Sequence, residues 1–93
     1  MDKRERIVVT VLGADKVGIV AGITGVLAQH NASIVDLTSS KMKDLFVMLI
    51  LVDITEAKGT LKELQRKLKE KGDILKIKVT AQHEDVFRYM HRI

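Results

Sequence analysis

The order of apolar patterns along the chain predicts an α+β domain: strand, helix, strand, strand, helix, strand, then a short helical tail. Three observations carry that prediction. Two segments repeat apolar residues at helical spacing, and four others are β-branched runs or alternate apolar with polar. The sequence also has no Pro and no Gly/Ser-rich linker, so its 93 residues read as one domain over 1–93.

Taken in order, residues 7–12 are apolar except for Thr10 and are bounded by charge before and Gly13 after, which predicts a strand. Ile19, Ile23, Val26 and Leu27 recur at helical spacing and predict a helix over 17–30. Gly22 and Gly25 each cost that helix about 1 kcal/mol relative to Ala, a cost that predicts close packing against a neighbour. Asn31 and Ala32 turn the chain into a more polar strand over 32–40, and 42–44 make a hairpin. Residues 45–52 are eight consecutive apolar residues. Thr55 is a candidate cap for a second helix with Leu61, Leu64 and Leu68 inward and Gly72 at its end. Residues 74–80 alternate as a fourth strand, and 83–91 form a terminal helix with Val86, Phe87 and Met90 inward.

This order is the split-βαβ, or ferredoxin-like, two-layer sandwich, with both helices on one face of a four-stranded antiparallel sheet and strands one and three central. With helices on one face only, central strands should alternate apolar and polar. Residues 45–52 do not, so the second face needs a cover. The tail, through Phe87, Tyr89 and Met90, is expected to supply part of it and a second copy of the chain the rest, because a bare apolar face invites aggregation.

Composition narrows the chemistry. No Cys means no disulfide, no thiol nucleophile and no thiolate metal site, and fits a cytoplasmic protein. The charged start, 1–6, is followed by no signal-type apolar run, and 45–52 is far short of the ~20 residues that span a bilayer. The net charge of +4 is spread, with Lys62, Lys67, Lys69 and Lys71 interleaved with Glu63 and Glu70, which predicts a solvated helix face rather than a nucleic-acid surface. An RNA-reading sheet of this topology displays stacked aromatics, and here the central strands offer Phe46 alone.

Catalytic constellations are not recognisable. Thr24, Ser33, Ser39 and Ser40 sit in no nucleophile motif, and neither the dinucleotide nor the phosphate-loop glycine pattern occurs. The arginines (Arg4, Arg6, Arg66, Arg88 and Arg92) all lie outside the first strand–helix loop, where an acylphosphatase-type reaction needs one. His83 and His91 would sit about 12 Å apart along a straight helix, too far to share a metal, and His30 reads as a favourable charge at a helix C-terminus. No catalytic residue, metal or cofactor is expected.

The informative stretch is the turn after the first strand. Helix starts carry unpaired N–H donors and partial positive charge, so the turn 13–18 is suited to the negative end of a small molecule. Asp15 either caps the helix or receives a ligand's ammonium group, and a carboxylate has lone pairs for both. Asn31 reads as a helix C-cap. With Ser33 and Asp36 it is expected to ring, together with the turn, one end of a zwitterion-sized cavity.

The strand 7–12, the pattern Gly13-x-Asp15-x-x-Gly18-Ile19-Val20, the segment 31–37 and the tail 82–93 together resemble the ACT domain, and more narrowly its small stand-alone UPF0237 proteins. The resemblance spans essentially the whole chain. It implies a regulatory domain, not an enzyme, that binds an amino acid or similar small ligand where two such units pair as a homodimer. It places ligand contacts at Gly13, Asp15, Lys16, Val17, Gly18 and Ile19, and at Asn31, Ala32 and Ser33. Many family members have Pro where Val17 stands and Asn where Ser33 stands. A unit with no attached enzyme would act on a separate protein, such as a partner enzyme, and the alternative is an interaction subunit that binds no ligand.

Overall fold

The computed structural model of the chain describes residues 4–14 and 17–90. Its elements are β1 (Arg6–Ala14), α1 (Ile19–Gln29), β2 (Ser33–Met42), β3 (Leu45–Asp53), α2 (Leu61–Leu75), β4 (Lys78–His83) and α3 (Glu84–Met90). The strands form one antiparallel sheet in the order β2-β3-β1-β4, the ferredoxin-like arrangement expected. Alternation along the central strands sorts the side chains. Ile7, Val9 and Val11 of β1, with Met48, Ile50 and Val52 of β3, are fully buried beneath the helices. Ile19, Ile23, Val26 and Leu27 of α1 and Leu64 and Leu68 of α2 complete that core. The intervening residues of β3, among them Val47, Leu49 and Leu51, face the other side and are only half-buried. The run 45–52 is thus apolar on both faces of the sheet. No described helix is long and apolar enough to cross a membrane.

Several boundaries differ from the sequence reading, each for a physical reason. The cap of α2 is Thr60, not Thr55: Thr60 Oγ1 accepts the Glu63 N–H at 3.1 Å, the N-cap hydrogen bond. The Thr55 hydroxyl is taken instead by the Glu5 N–H at 2.8 Å. Gly72 does not end α2 but lies buried within it, because a Cβ there would stand 2.9 Å from Val79 Cγ2 and 3.0 Å from the Ile77 carbonyl oxygen. The helix ends three residues later, where Lys76 turns left-handed (φ 58°) and the Ile77 N–H reaches back to the Gly72 carbonyl at 2.9 Å. Ile74 therefore belongs to α2, and β4 starts at Lys78.

In α3, Phe87 is half-buried, but Val86 and Met90 are exposed rather than inward. Gly22 does approach α2, with Leu75 Cδ1 3.0 Å from where its Cβ would be, whereas Gly25 has no neighbour within 4 Å. Replacing Gly25 by Ala should therefore raise stability by up to about 1 kcal/mol through helix propensity alone. Urea unfolding checks this: the midpoint should rise at constant slope, and a fall would mean that a second chain crowds that position.

Candidate functional site

The turn between β1 and α1 is shaped by two glycines. A Cβ on Gly13 would come within 2.7 Å of Ile77 Cγ2, so only Gly lets the end of β1 pass the start of β4. Gly18 is the N-cap of α1 at φ 90°, a left-handed conformation that costs other residues about 1–2 kcal/mol. No acidic residue lies in the first turn of α1, so its positive end is not offset from within the helix. Val17 is fully exposed, and Ile19 is buried, which leaves Ile19 only its backbone N–H to offer. Asp15 and Lys16, expected to supply the charged contacts, lie outside the described residues.

The second group lies where α1 runs into β2. Asn31 is the left-handed residue (φ 57°) that closes α1: its N–H bonds the Ala28 carbonyl at 3.0 Å, and the Ala32 N–H bonds that of Leu27 at 3.0 Å. The C-cap of α1 is His30, and Asn31, read from the sequence as the cap, is the left-handed residue just after it; its side chain donates to the Glu56 carbonyl at 3.1 Å. His30 sits at the same C-terminus with Nδ1 2.9 Å from the Val26 carbonyl oxygen. Ala32 packs against the core, and Ser33 opens β2 opposite Asp53.

Around Ser33 is a polar hollow of 280 Å³ lined by Arg4, Asn31, Ser33, Val35, Asp53 and Glu56. Arg4 pairs with Asp53 at 3.0 Å, and the Thr55 N–H donates to the other Asp53 oxygen at 2.8 Å. Those bonds, from Thr55 first and then Arg4, hold the Asp53 carboxyl below its ordinary value of 3.8. Because the folded-state value is depressed, the stabilisation is complete above that ordinary value and is lost as pH falls through the folded one. Asp53→Asn should therefore flatten the loss of stability below about pH 4, read as thermal midpoint against pH. Arg4, Asp53 and Glu56 escaped the sequence reading because only tertiary contacts bring them beside Ser33: the β2–β3 pairing sets Ser33 opposite Asp53, Arg4 reaches Asp53, and Asn31 bonds the Glu56 carbonyl.

The two groups do not share a cavity within one chain, contrary to expectation. Ala14 pairs with Leu45 at one end of β3, and Ser33 pairs with Asp53 at the other. Eight residues of strand separate those ends by about 27 Å. A hollow of 660 Å³ between α2 and β4 contains none of the expected ligand contacts. It is an open groove rimmed by the exposed Lys69, Lys76 and Lys78.

Beside α1, the β2 edge is bare. All ten β2 residues are exposed, and Ile34 and Leu37, on its helix-side face, are 43% and 39% accessible. The eleven residues of α1 include no charge, and its Val20 and Thr24 lie on the flank turned away from α2, which Gly22 contacts.

Comparison with known proteins agrees with this architecture. The sequence matches the ACT-domain family over residues 5–82. It is 51% identical over 88 residues to a UPF0237 protein of Methanopyrus kandleri, covering 95% of this chain and 98% of that one. Its structure superposes on an ACT domain protein from Streptococcus pneumoniae with a TM-score of 0.79 at 28% identity, covering 91% and 96% of the two chains. The same fold forms part of a formyltetrahydrofolate deformylase from Burkholderia mallei, at TM-score 0.76 and 17% identity over 85% of this chain and 28% of that one. With the βαββαβ order, the glycine-shaped turn and the left-handed Asn31 all in place, the chain belongs to the ACT-domain family and, within it, to the UPF0237 proteins.

Proposed function

We propose that this chain is a regulatory module, not an enzyme, that binds an amino acid or a similar small zwitterion between two copies paired along β2. ACT domains are in general regulatory domains that bind small molecules. The observation that carries the finer reading is the separation of the two polar groups to opposite ends of the sheet. An antiparallel pairing of two β2 edges sets the start of β2 in one copy against the end of β2 in the other. From the start of β2 the partner's turn is then three strand spacings away, about 14 Å, and the first turn of the partner's α1 lies over that gap. In this arrangement the ligand carboxylate takes the N–H donors at the start of α1, and Asp15 takes the ammonium group. Asn31 and Ser33 of the other copy close the site, with Ala32 behind them.

The edge pairing also covers Val20, Ile34 and Leu37, which supports a homodimer as the working unit. Having no catalytic constellation in its sequence, the module would act by docking on a separate enzyme or regulator. A chain without cysteine suits the reducing cytoplasm as its place of action.

Thermal unfolding against a panel of free amino acids at millimolar concentration tests the reading. A ligand at 100 times its Kd adds about 2.7 kcal/mol, on the order of 10 °C for a domain of this size. A selective shift for one or two amino acids is the expected result. A flat panel on a protein that still dimerises would leave the edge pairing standing and remove the amino acid.

A further inference from the structure

The sheet has two edges, β2 and β4, and the pairing proposed above uses only β2. The β4 edge is guarded over part of its length. Gln65 Nε2, reaching from α2, donates to the Ala81 carbonyl at 2.6 Å, so Ala81 turns its backbone groups off the sheet. Alternate residues of an antiparallel strand point the same way, so Val79 presents its N–H and C=O outward as well. Among the described residues no side chain hydrogen-bonds that pair. Beside Val79 runs the 660 Å³ groove, between the strand edge and α2. Its floor is apolar, with Ile77 buried and Val79 half-buried. Its rim is basic. Lys69 lies 3.5 Å from Asp73, whereas Lys76 and Lys78 form no ion pair among the described residues. A small molecule would stay largely in water in so open a groove, whereas a strand laid along an edge needs only that edge.

We propose that a short acidic segment of another protein adds to β4 as a fifth strand, its backbone pairing with Val79 and its carboxylates meeting Lys76 and Lys78. This assignment rests on the reading of the chain as a module that docks on a separate protein. A free donor and a free acceptor on one residue suit a peptide, which offers one of each, whereas a phosphate backbone offers acceptors only. Three lysines against one aspartate along the groove then select the sign of the peptide's side chains. A second copy of this chain does not fit. Its β4 carries Lys78 and no acid, and its β2 sets Asp36 against Lys41. The lysines that attract an acidic strand therefore repel another β4 edge. The two edges lie on opposite sides of the sheet, so in a β2-paired dimer both β4 edges stay open.

Fluorescence anisotropy of a labelled peptide alternating Glu with Val, titrated with the full-length chain, tests the proposal. The wild type should bind it, and the double variant Lys76→Glu, Lys78→Glu should bind more than tenfold more weakly. Both lysines are exposed, so the circular-dichroism spectrum should not change. The same peptide N-methylated at every residue keeps its charge and loses every backbone donor, and it should not bind. Hydrogen exchange followed by NMR locates the contact: the Val79 N–H should slow its exchange when the unmodified peptide is added. Equal binding of the methylated peptide, or unchanged exchange at Val79, would overturn strand addition. So would a peptide that fails to bind at millimolar concentration, whether or not single-stranded RNA of mixed sequence binds the same lysines. The readings fail separately. Leu37→Lys, on β2, should bind the peptide as the wild type does, and a flat panel of amino acids would leave that binding unchanged.

Discussion

Replacing Ile50 by Ala is expected to destabilise the domain by about 3–4 kcal/mol and lower its thermal midpoint by roughly 15–20 °C. Ile50 is fully buried on β3, between Val9 of β1 and Leu37 of β2, beneath the helix layer. The two helices close one side of this position and strand neighbours flank it, so little can collapse into the space left by three carbons. The cost therefore includes the cavity as well as the lost transfer energy. In a domain of 93 residues, whose total stability is about 5–14 kcal/mol, that is a large fraction. Differential scanning calorimetry measures it directly. A shift under about 5 °C would mean that the core repacks around the gap or that Ile50 is less central to it.

Leu37→Lys is expected to have the second-largest effect, on assembly rather than on folding. Leu37 is on the helix-side face of the β2 edge and 39% exposed, so in a single chain the lysine amine reaches water. Across a β2–β2 pairing the same amine would be buried against the partner's edge and the uncharged flank of α1, with no acidic residue in α1 to meet it. The dimer should dissociate at concentrations where the wild type is intact. Because the proposed site needs residues of both copies, the ligand-induced thermal shift of ~10 °C should vanish with it. Light scattering and thermal unfolding on one sample check both effects. A Leu37→Lys protein that dimerises normally would rule out the β2 edge as the interface.

What could be read from the sequence, and what could not, divides along the range of the interactions involved. The strands, both main helices and the doubly apolar character of 45–52 were legible because periodicity is a local property. The cap of α2 was not: Thr55 and Thr60 both suit a cap, and what separates them is that the Thr55 hydroxyl is held by Glu5, about fifty residues away. Gly72 is a reasonable helix terminator by residue type, yet its role is the close approach of β4, a tertiary contact. Lys76 takes the left-handed end position that Gly or Asn usually occupies, and nothing local announces it.

At the site, Asn31 as a helix end was legible from its residue type. The separation of the two polar groups was present in the predicted topology but not drawn from it. β1 and β2 run parallel in this sheet, so the end of one and the start of the other must stand a strand's length apart. That separation is the reason the proposed pocket draws on two chains rather than one.

The most direct measurement of that claim is a complementation titration. Asp15→Ala removes the proposed ammonium contact in the turn, and Ser33→Ala removes a proposed contact at the start of β2, so each variant alone should fail to bind the amino acid that shifts the wild type. Calorimetric titration of the two variants mixed and re-paired should recover binding at roughly a quarter of the wild-type stoichiometry. Half of randomly paired dimers are mixed, and each of those rebuilds one of its two shared sites. If the mixture binds no better than either variant alone while mixed dimers are present, the site lies within one chain and the shared pocket is wrong.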